Sequence, residues 1–203
     1  TNELGIFMRS PGNDLNLVRG LIYNEGIISG LGCVESLTLE DDLAEIVLTD
    51  DSQYNPSEHN RNIMVTGSCG LCGRSELHDH QLVKSNHIFS QKQIHDMHAA
   101  AMQQQQMFRE TGGTHGAAAF NSKGEMIGCE EDVGRHNAMD KLTGHLLSES
   151  LDPSLCTLSG RVSYELVQKA IRSGYCILSA VGSATTLAIQ VAREHDLTLI
   201  WIN

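Results

Sequence analysis

The second half of this chain alternates between short apolar runs and amphipathic stretches, and this alternation limits its possible folds more than any other feature. Apolar runs stand at residues 115–120, 155–158, 175–181 and 197–202, and helical apolar spacing fills most of the gaps between them. Strands that alternate with helices pack as one sheet covered by helices. The pattern therefore predicts an α/β domain over residues 90–203 with a largely parallel sheet.

The residues ahead of that domain predict a smaller α+β unit. Leu4–Met8 is short and apolar, which is typical of a strand, and a turn then leads to a helix capped by Asn13 or Asp14. Alternating runs at residues 31–39 and 44–48 predict a hairpin. The resulting division is an N-terminal α+β domain at residues 1–66, a loop and linker at 67–89, and the α/β domain at 90–203.

A capping box marks the first helix of the α/β domain. Ser90 and Gln93 have the spacing of that motif, and the apolar pattern that follows predicts a helix running to about Arg109. His95 and His98 lie three positions apart on this helix. Because the nearby sequence offers them no thiol or carboxylate partner for a metal, we expect both to be surface residues.

Cys69 and Cys72 form a Cys-x-x-Cys pair that is flanked and separated by glycines. Such a pair is compatible with a reactive sulfur site, with half of a zinc site, or with a plain disulfide. A zinc site needs two more ligands at close spacing, and the other four cysteines are single and scattered. A thiolate in this motif attacks sulfur readily, and the second thiol can resolve what the first one forms. The spacing therefore favours a reactive thiol pair.

Composition excludes several classes of function. The 203 residues carry a net charge of −11, which argues against binding a nucleic acid polymer through its phosphates. No apolar run approaches the roughly 18–20 residues that cross a bilayer, so we expect no membrane association. Six cysteines are too few for a disulfide scaffold in a chain of this length, and we expect a cytoplasmic, reduced protein.

Several polar loops follow the predicted strands, where ligands of α/β sheets bind. They combine small residues with Arg135 and Arg161, whose guanidinium groups suit phosphate or a guanine edge. Asp132 or Asp140 offers an acceptor for guanine. The alternative is that the glycines only close turns and the arginines form surface ion pairs. The candidate ligand residues are Gly112, Gly113, His115, Asp132, Gly134, Arg135, His136, Asn137, Ser159, Gly160, Arg161, Ser183 and Thr185. His115 and His136 are also acid/base candidates, although a hydrogen-bonded structural histidine is the commoner case.

Four strings stand in a fixed order along the chain. They are Cys69-Gly-Leu-Cys72-Gly73, then Thr111-Gly-Gly-Thr-His115, then Glu131-Asp-Val-Gly-Arg-His-Asn-Ala-Met-Asp-Lys141, then Ser159-Gly-Arg161. Together they resemble the formate dehydrogenase accessory sulfurtransferase family, FdhD. The Asp-Val-Gly-Arg-His-Asn string is highly specific, whereas Cys-x-x-Cys alone is not.

The resemblance implies an enzyme that relays sulfur. A cysteine desulfurase would place a persulfide on Cys69, with Cys72 assisting or releasing the sulfur. The sulfur would pass to molybdenum in the bis(molybdopterin guanine dinucleotide) cofactor, held by the candidate ligand residues, and the cofactor would enter formate dehydrogenase. A homodimer would suit a ligand with two guanine ends. The alternative is a non-catalytic cofactor-binding chaperone of formate dehydrogenase with structural cysteines.

The resemblance also implies a three-layer fold similar to that of cytidine deaminases. A deaminase holds zinc with a His or Cys on the helix that here follows Gly134, and with a later Pro-Cys-x-x-Cys. This chain has Arg135-His136-Asn137 at the first position and lacks the second motif. We therefore expect no zinc and no deaminase chemistry. A thiol–disulfide oxidoreductase is disfavoured because the cysteine pair does not open a helix after a first strand.

Overall fold

The computed structural model describes residues 2–50, 52, 54–55 and 89–202. The Cys69 and Cys72 pair and nearly all of the predicted linker lie outside the described residues. The helices are α1 (Asp14–Asn24), α2 (Gln91–Gln104), α3 (Gln106–Thr111), α4 (Arg135–Glu149), α5 (Tyr164–Arg172) and α6 (Thr186–Glu194). The strands are β1 (Val34–Glu40), β2 (Leu43–Leu48), β3 (His115–Phe120), β4 (Met126–Asp132), β5 (Leu155–Leu158), β6 (Ile177–Ala180) and β7 (Thr198–Trp201).

A five-stranded sheet in the order β4-β3-β5-β6-β7 forms the centre of the larger unit. Strands β5, β6 and β7 are parallel, as the strand–helix alternation predicts. The prediction of a largely parallel sheet holds in part, because four of the five strands run in one direction and only β3 pairs antiparallel, with both β4 and β5. A tight turn joins β3 to β4, and neighbours joined in this way must run in opposite directions.

Helices cover both faces of this sheet, which gives three layers. Ala117 and Ala119 of β3 belong to a core that includes residues of α4, α5 and α6. Ala118 and Phe120 point the other way, into a second core with Ile94 of α2. This division follows from the alternation of side chains along a strand. The predicted α/β domain covered by helices is therefore confirmed.

The predicted helix at residues 91–109 is interrupted. The capping box forms as predicted, since Ser90 and Gln93 bond reciprocally across the first turn of α2. The helix ends at Gln104 because Gln105 turns its side chain inward and is only 6 % exposed. A Cβ atom on Gly116 would lie 2.3 Å from the Cδ of Gln105, so this glycine provides the space for the buried amide.

The N-terminal residues form a helix and a hairpin around a small core of their own. Strands β1 and β2 pair antiparallel as predicted, and the core contains Ile22, Ile27, Ile28 and Cys33. The predicted strand at Leu4–Met8 is wrong. This segment binds to side chains instead of to a neighbouring strand, as the carbonyl of Met8 shows by accepting the amide of Asn137 at 2.8 Å.

Helix α1 packs against α4 through two glycines. A Cβ atom on Gly20 would lie 1.8 Å from the carbonyl oxygen of Asp140, and one on Gly144 would lie 1.9 Å from that of Asn16. The two helix backbones therefore touch directly and join the N-terminal unit to the sheet. The proposed boundary at residue 66 falls outside the described residues. In the described part of the chain, no helix is long and apolar enough to span a membrane.

Candidate functional site

The topology brings most of the candidate ligand residues to one edge of the sheet. Because β3 runs antiparallel to its neighbours, its first residue lies beside the last residues of β4 and β5. His115 pairs with Asp132 at the end of β4, and the Gly116 carbonyl accepts the Ser159 amide just after β5. The loops that open α4, α5 and α6 leave from the same edge.

His115, Gly160 and Arg135 form the centre of this group. The Oγ of Ser159 lies 3.5 Å from the Nδ1 of His115 and accepts the Gly116 amide at 2.9 Å. A Cβ atom on Gly160 would stand 3.1 Å from the same Nδ1 and 3.8 Å from the Cδ of Arg135. The absence of a side chain at Gly160 therefore lets the loop approach His115 and Arg135 closely.

Arg161 lies next to this group against a second glycine. A Cβ atom on Gly182 would lie 2.9 Å from three atoms of Arg161, two of them in the backbone. The Ser183 carbonyl accepts the Val162 amide at 3.2 Å, which joins the loop before α6 to the loop before α5. Ser183 is exposed, whereas the Thr185 side chain accepts the Ala188 amide and so caps α6. The Thr185 hydroxyl oxygen is thus already used to cap a helix.

His136 connects the first turns of α4 and α5. Its Nε2 lies 3.1 Å from the Oγ of Ser163, the residue that precedes α5, and 3.9 Å from the Oε2 of Glu165. Burial, assisted by the positive charge of Lys169, lowers the pKa of His136 to about 4. Burial also lowers the pKa of His115, with smaller contributions from Arg135 and Arg161. Both histidines are therefore neutral at neutral pH.

Arg135 and Arg161 form no ion pair with any described residue. The Nε of Arg135 is buried and has no hydrogen-bond partner in the described part of the chain. Arg161 is exposed. The alternative that both arginines serve surface ion pairs is therefore unsupported among the described residues. Two guanidinium groups without ion pairs in the described part of the chain, beside neutral histidines, make a candidate anion site in an acidic protein.

Asp132 was predicted to accept a hydrogen bond from guanine, but the protein itself occupies its carboxylate. It is 0 % exposed, and its carboxylate accepts hydrogen bonds from the amides of Ser10 and Gly134 and from the side chain of Asn137. It also forms an ion pair with Lys141 at 2.8 Å. The carboxylate is thus saturated by the protein. Asn137 likewise uses its amide internally, between Met8 and Asp132.

Asp140 is committed in the same way. It is 2 % exposed, and the Nζ of Lys169 contacts both of its carboxylate oxygens, at 2.7 and 2.6 Å. Asn24 donates a further hydrogen bond to it at 2.7 Å. Neither aspartate that the sequence offers for guanine has a free oxygen at the surface.

Glu131 has an organising role that the sequence analysis missed. Its carboxylate accepts the amides of Met107 and Phe108, at 2.9 and 2.7 Å, and the hydroxyl of Thr114 at 3.0 Å. It therefore holds both ends of the segment that contains α3 and the Gly112–Gly113 turn. Gly112 ends α3 with a φ of 65°, a value that favours glycine. The signal in the sequence was the position of Glu131 beside Asp132 at the end of an apolar strand.

Two of the described cysteines, Cys129 and Cys156, are poor nucleophiles because the pKa of each thiol is raised. Burial raises the pKa of Cys129 to about 12, helped by the charges of Glu131 and Glu130, and burial also raises the pKa of Cys156. Within the described ranges, no group of three or more His, Cys, Asp or Glu side chains is placed to hold a metal ion.

Comparison with known proteins assigns this chain to a family. The profile of the FdhD/NarQ family matches residues 1–202. The chain belongs to the FdhD/NarQ family. It is 39 % identical over 199 residues to the sulfur carrier protein FdhD of Sulfurisphaera tokodaii, a match that covers 96 % of this chain and 76 % of that protein. It is also 39 % identical over 202 residues to the protein of the same name from Sulfolobus acidocaldarius, covering 98 % of this chain and 78 % of the relative.

A solved structure supports the same fold. The crystal structure of a formate dehydrogenase accessory protein from Desulfotalea psychrophila superposes with a TM-score of 0.75 and 18 % sequence identity. The match covers 97 % of this FdhD/NarQ chain and 76 % of that one. Both the described N-terminal unit and the five-stranded sheet therefore lie in a chain whose fold is similar to that of the solved structure.

Proposed function

We propose that this FdhD/NarQ chain is a sulfur carrier that serves formate dehydrogenase. The observation that carries the proposal is the match of family and sulfur-carrier relatives across nearly the whole chain, in a sequence that contains the Cys69 and Cys72 pair. The sulfur donor we propose is a cysteine desulfurase. The acceptor is the molybdenum atom of bis(molybdopterin guanine dinucleotide), which is the substrate here and not a resident cofactor.

The proposed chemistry at sulfur is a pair of displacements. The Cys69 thiolate attacks the outer sulfur of the donor persulfide, the donor S–S bond breaks, and the donor leaves as a thiolate. Cys72 then attacks the Cys69 persulfide, which forms a Cys69–Cys72 disulfide and releases sulfide. A cellular thiol must reduce that disulfide before the next cycle. Because burial raises the thiol pKa of Cys129 and Cys156, neither of these competes as a nucleophile at neutral pH.

The site at the sheet edge suits the nucleotide ends of the proposed acceptor. A guanine dinucleotide brings diphosphate, and Arg135 and Arg161 are guanidinium groups without ion pairs among the described residues. The buried and unbonded Nε of Arg135 is the kind of donor that a bound anion would satisfy. Gly160 leaves open space where a Cβ would crowd His115. These residues fit the phosphate part of the group.

We further propose that the larger unit is related to the cytidine deaminases and that the protein acts as a homodimer. The mixed sheet, in which α4 and α5 open at the ends of β4 and β5 on either side of β3, supports the first point. The acceptor has two guanine ends, so two copies would offer one site to each. Size-exclusion chromatography with light scattering tests the dimer directly, and a monomer at micromolar concentration contradicts it.

Mass spectrometry of the protein after incubation with a cysteine desulfurase and cysteine tests the central proposal. We expect one added sulfur atom on the peptide that contains Cys69, and none in Cys69→Ala. Cys129→Ala is the matched control, because the Cys129 thiol is half-buried with its pKa raised to about 12, and this variant should load normally. If both Cys69→Ala and Cys72→Ala still mature formate dehydrogenase in cells at the normal rate, the protein is a cofactor chaperone with structural cysteines instead.

A further inference from the structure

We infer that Asp132, with Lys141 as its charge partner, is the positioning residue of the anion site, and that it fixes the first turn of α4 to the segment Met8–Ser10. Asp132 acts on how the site is built, and only the use of a guanine nucleotide as the probe rests on the proposed function. Asp132 itself contacts no ligand in this scheme.

The two oxygens of Asp132 hold two different parts of the chain. Oδ1 accepts the Gly134 amide at 2.9 Å and the Asn137 side-chain amide at 2.9 Å, and these residues bracket Arg135 and His136. Gly134 precedes α4 and has no side chain with which to cap it. The carboxylate of Asp132 therefore accepts an amide at the start of α4, as a capping side chain would. In this way it fixes the direction in which the Arg135 side chain extends from the helix.

Oδ2 binds the N-terminal segment. It accepts the Ser10 amide at 3.0 Å, and the hydroxyl of Ser10 accepts the Val133 amide at 2.9 Å in return. Asn137 completes the connection by donating to the Met8 carbonyl as well as to Asp132. The N-terminal segment and the loop before α4 are thus one hydrogen-bonded unit, although 122 positions separate Ser10 from Asp132.

Lys141 supplies the charge that makes a buried carboxylate tolerable. It is 1 % exposed and Asp132 is 0 % exposed, and their charged atoms lie 2.8 Å apart. Lys141 also donates to the Ser10 carbonyl at 2.9 Å. A buried ion pair is a poor source of net stability but can impose a single arrangement, and here the arrangement it imposes is that of the site.

The test compares Asp132→Asn with Glu130→Gln. Asparagine keeps the shape and the acceptor for Gly134 but removes the charge and turns a donor toward Ser10 or Lys141. Glu130 is the matched control, because it is a buried carboxylate on the same strand whose side-chain hydrogen bond among the described residues goes to Asn13 and not to α4. With GDP as the probe, we expect Asp132→Asn to weaken binding about tenfold or more and Glu130→Gln to change it less than about twofold.

Two further measurements separate positioning from loss of the fold. Sulfur loading of Cys69 should stay normal in Asp132→Asn, whereas an unfolded protein would lose both properties. The amide proton of Gly134, followed by NMR, should move upfield and exchange faster in Asp132→Asn but not in Glu130→Gln. If Asp132→Asn does not fold, the neutral pair Asp132→Asn with Lys141→Met removes the uncompensated charge and takes its place in every measurement.

The outcomes distinguish this inference from the proposed function. Unchanged GDP affinity in a folded Asp132 variant overturns the inference and leaves the proposed function intact. If the wild-type protein binds no GDP, the proposed acceptor is wrong, and the Gly134 amide alone decides the inference. An unshifted Gly134 amide with unaltered exchange in the variant then overturns it, and the expected change supports it.

Discussion

Helix α4 carries charge in two contrasting ways along its length. In its middle, Asp140 and Lys141 are buried, and each has an opposite charge within 2.8 Å. At its start, Arg135 has no ion pair among the described residues and leaves its Nε without a hydrogen bond there. One helix therefore has an interior, Asp140 and Lys141, whose charges are paired. It also has a rim, Arg135, whose charge has no pair in the described part of the chain.

The difference indicates which charges serve the fold and which serve a ligand. A charge moved out of water needs a partner of opposite sign, so a paired interior is what a stable protein requires. An arginine at an edge where three strands end needs no such partner to fold, because water or an anion can supply one. The contrast predicts that changes in the interior cost stability, whereas changes at the rim cost binding.

Gly144→Ala should have the largest effect, because it forces α1 away from α4. The new Cβ atom would lie 1.9 Å from the carbonyl oxygen of Asn16, which is a backbone atom that cannot move alone. We expect a loss of about 4 kcal/mol or more in the free energy of unfolding, measured by urea denaturation. Gly32→Ala is the control, since its Cβ would meet nothing within 4 Å. Equal stability of the two variants would show that the helices are not in backbone contact.

Lys169→Met should come next, because it leaves the carboxylate of Asp140 buried without its partner. We expect a loss of about 3 kcal/mol at neutral pH. The double variant Asp140→Leu with Lys169→Met should recover most of it, since an apolar pair needs no compensation and Asn24 keeps its bond to Thr143. A double variant no more stable than Lys169→Met would show that packing, and not charge, explains the loss.

The same variant has a signature in pH. Burial raises the pKa of Asp140, and Lys169 opposes that shift. Without Lys169 the pKa rises further, so the folded state binds a proton that the unfolded state has already released. Stability then falls as the pH rises from about 4 toward 7. We expect the melting temperature of Lys169→Met, relative to wild type, to drop across that range, and a constant difference would contradict this account.

Arg135→Gln tests the rim, where the expected cost is in binding. It removes a guanidinium group that has no ion pair with any described residue, so the melting temperature should stay within about 2 °C of wild type. GDP affinity should fall about tenfold, the usual range for a lost hydrogen bond to a charged group. Arg161→Gln should behave similarly. If either arginine variant loses stability but keeps its GDP affinity, that arginine serves the fold and not a ligand.

Local sequence patterns predicted most of the helices and strands correctly, and they failed where distant residues decide the outcome. The apolar alternation around Leu178 and the capping box at Ser90 depend on neighbours in the chain, and both elements form as predicted. Leu4–Met8 also has the composition of a strand. Its bonds go to Asn137, which is 129 positions away from Met8, and no local pattern contains that information.

The candidate site shows the same limit at the level of single side chains. The sequence placed His115, Arg135 and Gly160 in loops at strand ends, and the structure brings these three residues close together. Their role as ligands stays a prediction. It could not separate a ligand carboxylate from a positioning one, since Asp132 and Glu131 lie side by side in one acidic run. Their bonds to Ser10 and to Phe108 decide their roles, and those partners become neighbours only in the fold.

His98 offers the smallest of these effects, and it corrects the expectation that this residue lies at the surface. Its Nε2 lies 2.8 Å from the Oγ of Ser179, which is 0 % exposed, and burial lowers the pKa of His98 to about 4. As the pH falls below about 6.5, the unfolded chain gains a proton that the folded chain refuses until about pH 4. His98→Gln keeps a polar contact to Ser179 but does not titrate. As the pH falls from 7 to 5, its free energy of unfolding should therefore decrease by about 1 kcal/mol less than that of wild type. His95→Gln is the control, because His95 lies one turn away and is exposed, and its stability should change with pH as that of wild type does. If His98→Gln also follows the wild-type pH dependence, the proposed effect of burial on His98 is wrong.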